Sequence, residues 1–409
     1  MNTEKYQYYR LSNGIKLIQK EASSHVTHVG LVVNTGTRDE LPSENGIAHF
    51  IEHLIFKSTH KRNTYQVLSY LENVGGDLNA YTTKEETFFY ASVPNPYFDR
   101  ALDILSDIVF NAAFQEKDME TEKEVVIEEI NSYKDNPAEL IFDAFENQIF
   151  AGHPLGTYIL GTKKSVRGFK REDILRFMER TYHTDQMVIA IVGAIPFKRS
   201  IQLAERYFGQ IPARLRQEAR QPFQRYTPSH CRKNIRGNQT HLMMGCVLPR
   251  YNDDKHLTAT LLNNLLGGPG MGTRLNLSLR EKRGYVYSVE SAYAALSDTG
   301  MFTIYAGMDT RNTEKCKELI VKELRKLRSV PLGSLQLLRA KRQFIGQTCI
   351  SNESNLTEML SIGKNHLLFD EVESIPEMIA RTERITAADL TEMANEMLPE
   401  EKLSSLLFL

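Results

Sequence analysis

The sequence predicts an α+β protein of two structurally similar domains, each a mostly antiparallel sheet packed with helices. Three observations carry that prediction. A chain of 409 residues is more than one hydrophobic core ordinarily organises, so two domains are expected. The first half alternates period-2 segments with helical ones. The second half then repeats the first in outline. Leu68-Ser69-Tyr70-Leu71-Glu72-Asn73-Val74-Gly75 lines up with Leu277-Ser278-Leu279-Arg280-Glu281-Lys282-Arg283-Gly284 at a constant offset of 209 residues (277 less 68). Thr27-His28, ahead of an apolar run, is echoed by Thr240-His241, as a duplicated unit requires.

In order along the chain, 6–11 and 15–20 alternate like strands around Ser12-Asn13-Gly14, and Asn-Gly between such segments predicts a hairpin. Residues 26–35 read as a third strand, 44–56 and 65–74 as helices, and 78–82 and 87–93 as strands. Helical patterns follow over 96–113, 116–134 and 137–150, then a buried strand at 187–193 and a closing helix at 197–208. Between Pro212 and Ser229 the chain is polar and basic, with Arg214, Arg216, Arg220 and Arg225 beside Pro222 and Pro228. No apolar period runs through it, which predicts a linker. The expected division is therefore a first domain over 1–212, a linker over 213–229 and a second domain over 230–409. In the second domain, a helix over 253–266 takes the place of the first domain's 44–56 helix.

The bulk numbers exclude several classes. With 41% hydrophobic and 25% charged residues the chain is globular in composition, not disordered or fibrous. A net charge of −1, from 50 basic and 51 acidic residues, gives no basic footprint for nucleic acid. No apolar run reaches the roughly 18 residues of a membrane span. The opening Met1-Asn2-Thr3-Glu4-Lys5-Tyr6-Gln7 has neither the apolar core of a signal peptide nor the Arg-rich character of a transit peptide, so the cytoplasm is the expected compartment. Cys231, Cys246, Cys316 and Cys349 show no Cys-x-x-Cys spacing and read as reduced core thiols.

The chemistry concentrates at His49-Phe50-Ile51-Glu52-His53. On a helix, residues four apart share a face about one turn apart, so His49 and His53 can offer imidazole nitrogens to one ion. Glu52, three residues beyond His49, flanks that face and can reach an attacking water without binding the metal. Phe50, Ile51, Leu54 and Ile55 supply the apolar face that anchors the helix. The arrangement is His-Glu-x-x-His read in reverse. A catalytic zinc takes a third protein ligand, and the helix over 116–134 offers candidates. Glu122 and Glu129 lie two turns apart on one face, on a stripe that otherwise reads apolar, where a carboxylate needs a partner. Glu128 points about 100° away and reads as solvated.

Taken together, these motifs resemble the inverzincin family of pitrilysin, insulin-degrading enzyme and mitochondrial processing peptidase, in its short two-domain bacterial-type branch. The family places a glutamate 76 residues after the second histidine, and here that residue is Glu129; its assisting glutamate seven residues earlier falls on Glu122. Asn79-Ala80-Tyr81-Thr82 through Glu85 and Thr87 is similar to the family's substrate-edge strand, and His153-Pro154-Leu155-Gly156 to a structural motif after the ligand helix. Arg280 through Ser288 is similar to a second-domain segment whose arginine and tyrosine, here Arg280 and Tyr287, reach the catalytic chamber. Tyr285 departs from the family's usual leucine.

The resemblance implies one Zn2+ per chain, held by His49, His53 and Glu129, with Glu52 as general acid–base and Glu122 behind the ligands. It implies a peptide paired to the edge strand at Asn79, Ala80 and Tyr81, with Arg280 and Tyr287 holding a carbonyl or oxyanion. Because the family encloses substrate with four such domains, it also implies a homodimer, or a heterodimer with a related subunit. The expected function is a zinc-dependent endopeptidase acting on short or unfolded peptides. Two other classes compete with it: a non-catalytic peptide-binding or scaffolding subunit of a heteromeric peptidase, and a zinc hydrolase of non-peptide substrates.

Overall fold

The chain reverses at Asn13-Gly14, where Gly14 N donates to Leu11 O (3.0 Å) and Leu11 N to Ile15 O (2.9 Å). Strands β1 (Gln7–Arg10) and β2 (Lys16–Glu21) pair antiparallel across that turn. The computed structural model describes residues 6–235, 237, 239–251, 253–370 and 372–409. Residues 1–5, on which the reading of the chain's opening partly rests, lie outside the described residues. Next come β3 (Val26–Val33), α1 (Ile47–Leu54), α2 (Thr64–Glu72), β4 (Asp77–Thr82) and β5 (Thr87–Pro94). Helices α3 (Phe98–Phe110), α4 (Glu116–Lys134), α5 (Pro137–Ile149), α6 (Lys163–Gly168) and α7 (Arg171–Thr181) follow, then β6 (Met187–Gly193) and α8 (Phe197–Phe208). The second half runs β7 (His230–Lys233), β8 (Thr240–Pro249), α9 (Asp253–Gly267), β9 (Val286–Ala295) and β10 (Thr299–Met308). It ends with α10 (Thr313–Ser329), α11 (Ser334–Ser351), α12 (Asn355–Phe369), α13 (Ile375–Arg384), α14 (Ala387–Met397) and β11 (Ser404–Phe408).

Beyond β1, which has no counterpart in the second sheet, the two sheets repeat one another. The first has order β1-β2-β6-β3-β5-β4 and the second β7-β11-β8-β10-β9. In each, one parallel pair (β2 with β6, β7 with β11) is followed by antiparallel pairs out to the free edge. The 209-residue echo is structural too. Gly75 and Gly284 both have positive φ, 76° and 63°, and β4 and β9 begin two residues after them.

One expected element starts late. The helix predicted over 44–56 begins at Ile47, because Gly46 takes φ 92°. That left-handed conformation suits glycine, and a Cβ there would fall 2.7 Å from Gly161 Cα.

Each compact unit is assembled from separated stretches of chain. Unit 1 comprises 1–131, 157–220 and 350–375; unit 2 comprises 132–156, 221–349 and 376–409. The division therefore differs from a simple cut at 212 and 230. In unit 1, one sheet face packs on the helices of the first half, with Leu31, Phe50, Phe89 and Leu105 among the buried residues. The other face, with Ile18, Val32, Phe88 and Val188, packs on Met359, Ile362 and Leu367 of α12. In unit 2, Ile141 and Phe145 of α5 pack with Met243, Leu406 and Phe408 of the sheet.

The stretch predicted as a linker forms no helix or strand over 213–229, yet its first part is bound to unit 1. Arg214 exchanges hydrogen bonds with Thr184, Arg216 N donates to Asp185 (3.0 Å), and the Arg220 guanidinium is paired with Asp39. All four cysteines are free, but the reading of them as core thiols holds only for Cys246 and Cys316; Cys231 and Cys349 are exposed.

Candidate metal centre

Helix α1 is short and held at both ends. Phe50, Ile51 and Leu54 are at most 1% exposed, so the helix cannot rotate without opening the core. Its N-terminus is capped from the preceding loop by Glu40, whose carboxylate accepts from Gly46 N (2.9 Å) and Ala48 N (3.0 Å). Helix N-termini favour an acidic partner. Burial nevertheless raises the Glu40 pKa to about 8, against the pull of those backbone donors.

From that anchored helix, His49 and His53 face Glu129 of α4. His49 Nε2 lies 3.7 Å and His53 Nε2 3.4 Å from Glu129 Oε2, and one ligand atom from each residue falls within 4.8 Å of the others. Donors bound to a tetrahedral zinc at 2.0–2.1 Å stand about 3.3 Å apart, so the spacing fits a metal with little movement. The donor set, two imidazoles and a carboxylate, is one zinc favours. Glu129 Oε2 is buried and faces the two imidazoles, as expected of an oxygen kept for a cation.

Glu122, one face-length earlier on α4, accepts from His53 Nδ1 (3.1 Å) and from Lys57 Nζ (2.6 Å). This outer contact turns His53 so that Nε2 points at Glu129. Lys57 has no counterpart in the sequence reading; its only signal was a basic residue one turn past His53. The charges separate the two histidines. Burial and the neighbouring His53 lower His49 to about 4, leaving it neutral with a lone pair to give. Burial opposes the charge on His53, but hydrogen bonds and charge from Glu122 and Glu129 lift it to about 9 in the metal-free chain. The His49 Nδ1 atom has no hydrogen-bond partner.

Glu52 is half-buried between this trio and the end of β4. Burial raises its pKa, with Thr82 of β4 and His53 pulling the other way, and its Oε2 has no hydrogen-bond partner. Strand β4 pairs only with β5 and ends the sheet, leaving the other side of Asn79, Ala80 and Tyr81 unpaired by any described strand. The Asn79 side chain accepts from Ala80 N (3.0 Å).

Arg280 and Tyr287 belong to unit 2. Arg280 stands on a π-helical turn, Asn276–Glu281, and Tyr287 is the second residue of β9, with 59% of its surface exposed. Both line a cleft of about 570 Å³ beside the glycine-rich run 267–272.

Two α+β units that share a five-strand order, one of them bearing a His–His–Glu donor trio, define the class: a duplicated α+β protein with one candidate metal centre among its described residues. The chain belongs to peptidase family M16. Residues 16–163 match "Insulinase (Peptidase family M16)" and 168–344 match "Peptidase M16 inactive domain". The chain is 31% identical to an "Uncharacterized zinc protease YmxG" of Bacillus subtilis, over 96% of each chain. It is also 31% identical to an "Uncharacterized zinc protease" of Rickettsia bellii, over 99% of this chain and 98% of that one. In fold it is similar to a protease from Helicobacter pylori, with a TM-score of 0.91, 20% identity and 99% of each chain covered.

Proposed function

We propose that this chain is a zinc-dependent endopeptidase that cleaves short or unfolded peptides in an enclosed chamber. The observation that carries the reading is the pairing of a metal-spaced donor trio with a carboxylate, Glu52, whose free oxygen adjoins an edge strand. His49, His53 and Glu129 hold the zinc, which when bound polarises the scissile carbonyl and acidifies water. Glu52 takes the proton of the attacking water at Oε2 and hands it to the leaving amine. Its raised pKa moves it toward the working range of such a base. The open edge of β4 pairs with an extended peptide through main-chain hydrogen bonds, which tolerates many side chains. Glu122 keeps the His53 ring in place. Arg280 and Tyr287 contact the substrate, an assignment that rests on the family resemblance. The same resemblance supports a homodimer, and the absence of any described helix long and apolar enough to cross a membrane is compatible with action in the cytoplasm.

The test is cleavage of a pool of unstructured peptides, read by mass spectrometry, for wild type and Glu52→Gln at equal zinc content. Cutting by wild type alone supports both the peptidase and the role of Glu52. Equal products from both proteins reject Glu52 as the base, and no cutting by either zinc-loaded protein rejects autonomous peptidase activity.

A further inference from the structure

The basic run after Pro212 has the composition of a linker, but one of its arginines is built into unit 1. The Arg220 side chain is 9% exposed. Its Nε donates to Asp39 Oδ1 (2.9 Å) and its Nη2 to Asp39 Oδ2 (2.7 Å), the two-pronged geometry that fits guanidinium to carboxylate. Nη2 also donates to the main-chain carbonyls of Asn34 (3.1 Å) and Glu85 (2.7 Å). Asn34 and Asp39 bound the loop that leads through Glu40 into the N-terminus of α1. Glu85 lies in the turn that joins β4 to β5. One guanidinium thus ties the loop entering the histidine-bearing helix to the turn leaving the edge strand.

That turn is unlike an ordinary hairpin tip. Lys84, Glu85 and Glu86 are consecutive, charged and 9%, 6% and 3% exposed. Each is paired by a different part of unit 1. Lys84 Nζ donates to Thr157 O (2.5 Å), Arg38 Nη1 to Glu85 Oε1 (2.6 Å), and Lys364 Nζ of α12 to Glu86 Oε1 (2.6 Å). Loop and turn also bond main chain to main chain, Thr37 N to Thr83 O (3.1 Å) and Arg38 N to Lys84 O (2.7 Å). They approach so closely that a Cβ on Gly36 would lie 2.4 Å from Thr83 O. Closing a hairpin requires none of this, and burying three charges is costly unless all are paired. The network fixes where β4 stands, not whether it forms.

We propose that Arg220 is a positioning residue: it sets the placement of the edge strand β4 relative to α1, so that a peptide paired to β4 meets Glu52 and the metal trio in reacting geometry. The inference rests on the peptidase reading above. None of the groups that Arg220 contacts is a metal ligand or Glu52, so its loss leaves the chemistry present and misaligns it. Misplacement by about 1 Å costs on the order of 100-fold in rate, while a peptide can still pair along the strand.

The experiment uses the full chain, zinc-loaded, as wild type, Arg220→Ala and Arg220→Lys. In Arg220→Ala, kcat is expected to fall about 10- to 100-fold with KM changed by less than about threefold and zinc content equal to wild type. Added guanidinium restores part of kcat, and Arg220→Lys, which keeps the charge without the fork, remains impaired. Amide hydrogen exchange on the same proteins is expected to lose protection at 34–40 and 83–86 while β3, β5 and β6 keep theirs. A wild-type kcat in Arg220→Ala overturns the proposal, as does a loss that follows zinc loss or a general rise in exchange. Should wild type cleave no peptide, the peptidase reading fails separately, and exchange decides on Arg220. Loosening confined to those two segments upholds the tie, and unchanged protection there rejects it.

Discussion

Replacing Glu122 by Gln isolates the contact that orients His53, a proposed metal ligand. The substitution preserves size but turns an ionised acceptor, 3.1 Å from His53 Nδ1 and 2.6 Å from Lys57 Nζ, into a neutral amide. Hydrogen bonds to charged groups contribute about 1.5–3 kcal/mol and neutral ones about 0.5–1.5, so the expected loss is about 1–1.5 kcal/mol. At about 1.4 kcal/mol per factor of ten, the zinc Kd rises roughly tenfold, the low end of what outer contacts usually supply. A second effect works against it. Glu122 also helps hold His53 protonated up to about pH 9 in the metal-free chain, and zinc must displace that proton. Without Glu122 the proton competes less, so the penalty should be near tenfold at pH 9 and smaller at pH 7. Chelator competition at both pH values measures this. An unchanged Kd at pH 9 refutes the orienting role, and a penalty larger at pH 7 than at pH 9 refutes the proton argument.

Glu40 makes a stability prediction. Its unfolded carboxyl ionises near the ordinary 4.5 and its folded one at about 8, so between these values the folded state holds the extra proton. Stability of the metal-free protein therefore falls as pH rises through that window, by up to about 1.4 kcal/mol per unit. Glu40→Gln should flatten the pH dependence of the urea midpoint from pH 5 to 8; an equally steep slope would count against the buried-acid account. Met359→Ala should lower unfolding stability by about 2–5 kcal/mol, because Met359 is fully buried against the unit 1 sheet. Urea titration followed by circular dichroism reads it, and a change below about 1 kcal/mol would mean that α12 contributes little to that core.

Local signals made much of this architecture legible. Asn13-Gly14, the apolar run of β6 and the four-residue spacing of His49 and His53 each depend on neighbours within a few residues. The proposed third ligand was different: spacing and periodicity left Glu122 and Glu129 both open, and only the family resemblance separated them. The exchange of helices was not legible. Apolar periodicity says that α5 and α12 each have a face to bury, but it is silent on which sheet receives it. Arg220 was hidden for a similar reason. Its partners Asp39 and Glu85 lie 181 and 135 residues away, so the sequence around it reads the same whether the charge is solvated or paired. Gly46 shows the limit at the smallest scale. The pattern over 44–56 is helical, and only the close approach of Gly161 accounts for the late start.

The path of the chain also bears on synthesis. Unit 1 receives its first strand at residue 7 and its last sheet-covering helix, α12, at residues 355–369. While the protein is being made, the sheet face carrying Ile18, Val32, Phe88 and Val188 has no cover until α12 has left the ribosome. An early-folding N-terminal half would spend most of translation with an oily surface facing solvent, a target for chaperones and for neighbouring nascent chains. Gene fragments that stop near residue 212 inherit that surface permanently, so a minimal piece carrying the His–His–Glu trio needs the distant helix supplied, as a fusion or as a second polypeptide.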